Sequence, residues 1–236
     1  MFEPVPDVRE AIVQLSLALL TESDLQADLD RILEVAQRTV PGCEAGSVTL
    51  LVEGSPQTEA ALSRAVVAID LAQYETNEGP CLLAAALNTP IFVDVLSADE
   101  RFPNFSERVA DLGLQSSLSL PITIEGDVVG SLNLYAWRSS AFDATSQDMG
   151  AVLATQVGIA VAKSRLLVEA KEVAVAAQQV ADESSDIAVA EGMIMVLERC
   201  SLDQAQSLMR NAASSEVKTL VVIARRVIAE IHSQNP

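Results

Sequence analysis

Few residues in this chain have the chemistry to make or break bonds. The single histidine, His232, stands near the C-terminus, and the three cysteines, Cys43, Cys81 and Cys200, are far apart. A Ser-His-Asp or Cys-His arrangement needs a histidine beside its nucleophile, and one terminal imidazole does not supply that. One histidine and three scattered thiols make no zinc site, and no glycine-rich phosphate loop is present. The pattern leaves no histidine-dependent nucleophile, no zinc site and no haem held by histidine in the first 165 residues, and no other enzyme constellation is visible, so the chain does not read as an enzyme. Cys81 follows Pro80 where a helix should begin, a position that favours a thiolate. It reads either as a redox sensor or as a packed residue beside a turn.

The remaining candidates bind rather than react. Phe102, Phe105, Ser131, Asn133 and Tyr135, with Trp137 nearby, could line a small-molecule pocket or simply fill a core short of aromatics. Arg199, Arg210, Lys218, Arg225 and Arg226 could meet phosphate or form an ordinary solvated face. The charge is unevenly placed. The first 164 residues carry eight Lys and Arg against 23 Asp and Glu, while from Ile187 onward the counts are five and five. An acidic body repels phosphate backbones and anionic membranes, so neither DNA nor a membrane is expected as a partner. Only the neutral C-terminal part suits RNA. No run of about 20 apolar residues stands out as a membrane span. The acidic, proline-containing start is unlike a signal peptide, and widely spaced cysteines suit reduced thiols, so a cytoplasmic protein is expected.

These candidates are organised by residues 143–181, which hold no proline and only Gly150 and Gly158. Alanine, valine, leucine, glutamine and lysine dominate, predicting one helix of about 58 Å; two helices broken near Ser164 are the alternative. Met149, Val152, Gln156, Ile159, Lys163, Leu166, Ala170, Val173, Ala177 and Val180 recur in steps of three and four, the seam of a two-stranded coiled coil. Val152, Ile159, Leu166, Val173 and Val180 are the expected homodimer contacts. Leu153, Val157, Ala160 and Leu167 form a second apolar row in the first half alone, so that half can also face its own domain.

Upstream, residues 7–20 carry a helical stripe at Val8, Ile12, Leu15 and Leu19. Ser23 or Asp24 can cap a helix with Leu25, Leu29, Ile32, Leu33 and Ala36 on one face. Residues 47–53 predict a strand, Gly54-Ser55-Pro56 a turn, and 62–67 the partner strand. A long irregular region follows, with a helix over 81–87, a strand over 91–95, a loop over 97–105 and a short helix ending at Gly113. Residues 116–124 and 128–137 predict a hairpin. In it Leu132 and Leu134 face one side, and Ser131, Asn133 and Tyr135 the other.

Glu78-Gly79-Pro80-Cys81, Arg101-Phe102-Pro103, Gly113-Leu114-Gln115-Ser116, Leu120-Pro121, Gly130-Ser131-Leu132-Asn133-Leu134-Tyr135 and Ala141-Phe142 stand in an order and spacing that resemble a bacterial GAF domain over about 8–165. The resemblance implies a five- or six-stranded antiparallel sheet, with terminal helices on one face and loops closing a small-molecule pocket on the other. The asparagine-lysine-phenylalanine-aspartate-glutamate pattern of cyclic-nucleotide-binding members is absent, and no cofactor is named.

After Ala181 the polar run Asp182-Glu183-Ser184-Ser185-Asp186 should end or bend the long helix. Three short helices are expected, striped by Ile187, Ala190, Ile194 and Leu197; by Leu202, Ala205, Met209 and Ala212 behind a Ser201/Gln204 capping box; and, opened by Ser214-Ser215, by Leu220, Ile223, Val227 and Ile231. Ile187, Ala190, Gly192-Met193-Ile194-Met195, Ala205, Leu208-Met209-Arg210, Ala212, Lys218, Leu220 and Ile223-Ala224 resemble an ANTAR domain. That resemblance implies a dimeric antiterminator binding paired hairpins in nascent RNA. The chain departs from the pattern where Glu191 replaces a lysine and Ser184 an arginine, and where Val217, Thr219 and Val221 stand near the third helix. Arg210, Lys218, Arg225 and Arg226 are left as the RNA contacts.

The expected class is α+β: a GAF domain over 1–165, a connecting coiled-coil helix over 143–181 and an all-α ANTAR module over 166–236. The expected function is a signal-responsive antitermination regulator, a homodimer taking hairpin RNA and a small-molecule ligand. The rival reading is a degenerate ANTAR protein that dimerises or binds another protein without RNA.

Overall fold

The structure, a computed structural model, describes residues 13–17 and 24–234. It divides into two compact units, Met1–Leu166 and Leu167–Pro236. Of the expected first helix, residues 13–17 are helical and Leu15 is buried in the core. Val8, Ile12, Leu19 and Ser23 lie outside the described residues.

In the first unit Asp24 caps helix α1 (Leu25–Thr39), accepting from the Ala27 amide at 2.8 Å. Strands β1 (Ala45–Val52) and β2 (Ser55–Ala61) form a hairpin. The partner strand expected over 62–67 is instead β2. Glu53 and Gly54 take the left-handed backbone that a two-residue turn requires, so Ser55 is already in the strand. Pro56 is tolerated because β2 is an edge strand. Ser63 then caps helix α2 (Arg64–Thr76), which replaces the expected irregular region. Helix α3 (Pro80–Leu87), strand β3 (Ile91–Val93), helix α4 (Pro103–Arg108) and strands β4 (Ser116–Ile124) and β5 (Asp127–Ala136) follow. Single 3-10 turns at Leu96–Ala98 and Ala110–Leu112 flank α4, where a plain loop and one helix were expected.

All pairings are antiparallel, in the order β2-β1-β5-β4-β3. The pleat sorts the side chains by face. Val48, Leu50, Leu118, Leu120, Ile122, Leu132 and Leu134 join Leu29, Ile32, Leu33 and Ala36 of α1 in the larger core. The opposite face is polar on β1, β4 and β5 and is roofed by α2 and α3.

Helix α5 runs from Ala144 to Glu198, 55 residues without a break. Its first part contributes Leu153, Ala154, Val157, Ala160 and Val161 to the larger core. A side chain at Gly158 would meet the Thr123 carbonyl oxygen at 2.8 Å, so glycine is what lets the helix lie this close to the sheet. By length and composition α5 is apolar enough to cross a membrane, and 33% of that apolar window is buried within the protein. The stop expected at 182–186 does not occur. Gln178 donates to Asp182 at 2.8 Å and Gln179 to Glu183 at 3.1 Å, and these one-turn bonds carry the helix through its polar stretch.

In the second unit the expected first short helix is therefore the end of α5. Two helices follow, α6 (Leu202–Glu216) and α7 (Leu220–Gln234). The Ser201/Gln204 capping box is formed. Ser214 and Ser215 sit inside α6 rather than opening α7, because the chain turns at Val217, which takes the left-handed conformation (φ 55°). Ala190, Met209, Ala213, Ile223 and Ala224 make a small core.

Candidate functional site

Between the roofed face of the sheet and α2–α3 lies a buried polar layer, called the chamber below, whose side chains pack on one another. β1 supplies Ser47 and Thr49, β2 Thr58, β4 Ser117 and Ser119, and β5 Ser131, Asn133 and Tyr135. α2 contributes Asp70, Gln73 and Tyr74, and α3 contributes Cys81. All but Thr58 and Tyr74 are buried. A polar side chain so placed must find a partner or carry a desolvation cost.

Most find one. Asp70 accepts from Tyr135 at 2.5 Å, from Thr58 at 3.0 Å and from Ser47 at 3.1 Å. Gln73 donates to the Tyr135 phenol oxygen at 3.1 Å and accepts from the Cys81 amide at 2.9 Å. Asn133 Nδ2 donates to Thr49 at 3.0 Å and to Ser47 at 3.3 Å. The Cys81 thiol lies 3.0 Å from Ser131 Oγ and 3.4 Å from Thr49 Oγ1. Three buried atoms have no partner among the described residues: Ser117 Oγ, Ser119 Oγ and Asn133 Oδ1.

Electrostatics follow from burial. Desolvation lifts the Asp70 carboxyl to about 6, against the pull of its three O–H donors, and no charged side chain offsets it. Burial also pushes the Cys81 thiol up to about 11, with the Asp70 charge adding to it. A thiol so held is not the activated thiolate that a redox sensor needs. Cys43 is pushed up to about 12, again by burial.

The rim of the chamber is pinned by two charged residues of the sequence motifs. Glu78 accepts from the Asn104 amide at 2.9 Å, from the Phe105 amide at 3.4 Å and from the Asn104 side chain, and so caps α4, whose own N-cap residue offers no side-chain bond. Arg101 bonds Asp99 at 2.6 Å and the Phe92 carbonyl at 2.5 Å, its guanidinium 5.0 Å from the Phe102 ring centre. Gly79 has φ 146°, and a side chain there would strike Gln73. Beside α3 an open groove is lined by Gly79, Leu82, Leu83, Ala86, Arg101 and Phe102.

Of the expected ligand residues, Ser131, Asn133 and Tyr135 meet in the chamber. Phe102 and Phe105 are buried with Tyr135 in a second apolar cluster. Trp137 stands apart, half exposed, its indole bonded to the Leu112 carbonyl at 2.9 Å. Asp70, Gln73, Ser117 and Ser119 were not anticipated. The serines had a readable signal, the alternation Ser117-Leu118-Ser119-Leu120; Asp70 stood in a segment read as irregular.

On α5, Val152, Ile159, Leu166, Val173 and Val180 are all exposed. Two polar positions of the same seam are committed within the first unit: Gln156 accepts from Ser16 at 3.4 Å, and Lys163 contacts the buried Asp28 carboxylate at 2.6 Å. In the second unit Arg225 pairs with Asp186 at 2.8 Å, Arg226 with Glu216 at 2.7 Å and Lys218 with Glu216 at 3.1 Å. Arg210 donates to Ser207 at 3.3 Å, and Glu191 accepts from Gln206 at 3.4 Å. Among the described residues no cluster of histidine, cysteine or carboxylates could hold a metal ion.

The GAF domain family model matches residues 22–162. Solved structures share the fold. The GAF domain of a phosphoenolpyruvate-protein phosphotransferase from Coxiella burnetii is 16% identical over 71% of this chain and 99% of that one, with a TM-score of 0.55. Free methionine-R-sulfoxide reductase from Neisseria meningitidis, in complex with its substrate, is 16% identical over 71% and 95%, with a TM-score of 0.54. The GAF domain of the Acinetobacter phosphoenolpyruvate-protein phosphotransferase is 15% identical over 67% and 94%, with a TM-score of 0.53. At these identities the likeness carries the fold alone. No protein of curated function matches the chain.

Proposed function

The chain belongs to the GAF domain family, and from that premise we propose that it is a cytoplasmic, ligand-responsive regulator whose sensor is the chamber between the sheet and α2–α3. The observation that carries this reading is the set of three unpartnered polar atoms, Asn133 Oδ1, Ser117 Oγ and Ser119 Oγ, buried in an otherwise paired network. A core built only for stability pairs such groups or replaces them with apolar ones. The ligand is small and organic, held by Ser131, Asn133 and Tyr135 and their neighbours, with Phe102 and Phe105 at the rim. It acts through a difference in affinity between two arrangements of the domain.

The output is an ANTAR-like tail working as a homodimer on hairpin RNA, so that the protein regulates by antitermination. Supporting this are the exposed seam residues, the helical composition of the second unit and the basic residues Arg210, Lys218, Arg225 and Arg226. Crosslinking and sequencing of RNA from cells tests it; enrichment of paired hairpins upstream of terminators is expected, and no enrichment overturns it. A second reading has its own observation. Arg225, Arg226 and Lys218 already face acidic partners, and Val196, Leu197 and Val217 are exposed, which suits a tail that binds protein.

A further inference from the structure

The protons around Asp70 are fixed by counting donors. With its carboxylate ionised, Asp70 takes the single hydroxyl proton of Ser47, of Thr58 and of Tyr135. Each hydroxyl must then accept its other bond. Tyr135 accepts from Gln73, Ser47 accepts from Asn133 Nδ2, and Thr58 accepts from Tyr74, which lies within 2.9 Å of Thr49. The arm through Ser47 decides how the Asn133 amide stands. Its NH2 faces Ser47 and Thr49 on β1, so its carbonyl oxygen is turned away from β1, where no partner meets it. Ser119 is the register partner of Asn133 on β4, and Ser117 is the next residue on the same face. The carbonyl and these two unpaired hydroxyls form one floor, buried and acceptor-rich. Over this face of the sheet lies α3, which packs across β4 and β5 and sets the Cys81 thiol against Ser131 and Thr49.

We propose that this floor is the contact surface for a small ligand that brings hydrogen-bond donors and is uncharged or cationic, and that ionised Asp70, acting through Ser47 and Asn133, selects a donor over an acceptor. This rests on the sensor reading above and names the chemistry its ligand must have. Asn133 Oδ1 offers only lone pairs, whereas the serines adapt to either partner. An anion would meet the Asp70 charge, which no cation offsets. To admit a ligand α3 has to give up the bond from its Cys81 amide to Gln73 and the contact of the Cys81 thiol with Ser131; Gly79 and the left-handed Asn88 flank it, and the open groove runs along it.

The same count gives the response to acid. A protonated Asp70 donates through Oδ1 to Ser47 or Tyr135, or through Oδ2 to Thr58; in the Ser47 arm that hydroxyl's own proton then needs an acceptor. Turning the Asn133 amide over supplies Oδ1 to Ser47 and points the NH2 at Ser119, so the floor changes from acceptor to donor. The other titratable groups in the chamber are Tyr74 on α2, Tyr135 on β5 and Cys81 on α3. Burial holds all three above their ordinary values, so they stay protonated while Asp70 titrates near 6.

Methylammonium and acetate are probes of similar size and opposite hydrogen-bonding character. Added to the full isotope-labelled chain at pH 7.5, methylammonium is expected to shift the Asn133 side-chain amide and the Ser119 backbone amide saturably. Acetate is expected to leave both in place. The preference should fall several-fold in Asp70→Asn and, with no mutation, in the wild type at pH 5. Acetate acting as strongly as methylammonium overturns the donor selectivity and leaves a binding face. Movement with neither probe overturns the site and the sensor reading together. A preference unchanged in Asp70→Asn and at pH 5 overturns the role of Asp70.

Discussion

The Tyr135 phenol donates to the Asp70 carboxylate over 2.5 Å, tying β5 to α2 where both side chains are fully buried. Three O–H donors favour the anion, and loss of water opposes it more strongly, so the carboxyl is raised to about 6. A folded pKa above the unfolded one means that the native state binds the proton more tightly. The stabilisation is therefore complete below the ordinary carboxylate range and is lost as pH rises through about 6. Denaturant unfolding of wild type and Asp70→Asn at pH 5 and pH 7.5 isolates this group from the other carboxylates. Relative to the variant, the wild type should gain about 1–2 kcal/mol at pH 5, from roughly 1.36 kcal/mol per pKa unit. Parallel pH profiles would remove Asp70 as the titrating group.

Glu78 reaches across from the start of α3 to cap α4 through the Asn104 and Phe105 amides. Replacing it by alanine should cost about 1 kcal/mol, the ordinary loss for a helix cap. The effect should be local. Hydrogen exchange at Asn104, Phe105 and Ser106 should speed up, while the β4–β5 hairpin keeps its protection. Uniformly faster exchange across the sheet would show that Glu78 supports the whole fold rather than the rim.

Val217 ends α6 in the left-handed conformation and is 93% exposed. A β-branched side chain is strained there, and no core contact compensates. Glycine takes this position without strain, so Val217→Gly should raise stability by about 1 kcal/mol, read as a higher denaturation midpoint. A lower midpoint would mean that the side chain makes a contact worth more than the strain.

The sequence was legible where period and face coincide. Leu132 and Leu134 against Ser131, Asn133 and Tyr135 announced a half-apolar, half-polar strand, and the structure puts the two sets on opposite faces. It was opaque where a polar residue is buried. Asp70 and Gln73 lie on the inner face of α2 and interrupt its apolar stripe, which hid the helix and the centre of the chamber with it. Pro56 disguised β2, since only the edge position makes a proline harmless there. The polar run 182–186 looked like a stop because single-residue preferences favour caps. The bonds from Gln178 and Gln179 that continue the helix are visible only once it is built.

The exposed face of α5 leads to an assembly prediction. Ile159 and Leu166 are 50% and 65% exposed, and neither Gln156 nor Lys163 is free to join them, each being held inside its own chain. A second copy laid parallel along Val152, Ile159, Leu166, Val173 and Val180 would cover this row. Light scattering should give twice the 25.0 kDa chain mass. Ile159→Lys with Leu166→Lys should give monomers, since each buried aliphatic side chain is worth about 1.5–3 kcal/mol. A wild-type monomer at micromolar concentration would end the dimer proposal and, with it, the two-stranded form of the tail.

RNA binding by the tail would set its basic residues against the acidic neighbours they already pair with. Glu216 faces both Lys218 and Arg226, and those two cations hold its carboxyl down at about 2, so it stays charged under all ordinary conditions. Arg225 is engaged by Asp186 in the same way. A phosphate must displace these carboxylates before it gains a contact, whereas Arg210 holds only a serine hydroxyl at 3.3 Å. The four basic residues should therefore be unequal. Arg210→Ala should weaken binding to a tandem hairpin most at low salt and reduce the salt slope by about 0.7–0.9. Glu191→Lys should strengthen it by removing one repulsion and adding one cation. Glu216→Gln should also strengthen it, by releasing Lys218 and Arg226, and should do so without altering the dimer. The assay is a titration of hairpin RNA at low and moderate salt with the four proteins side by side. Binding that Glu216→Gln leaves unchanged would show that Lys218 and Arg226 do not face the RNA. No binding by any of the four would leave the tail as a protein-binding module.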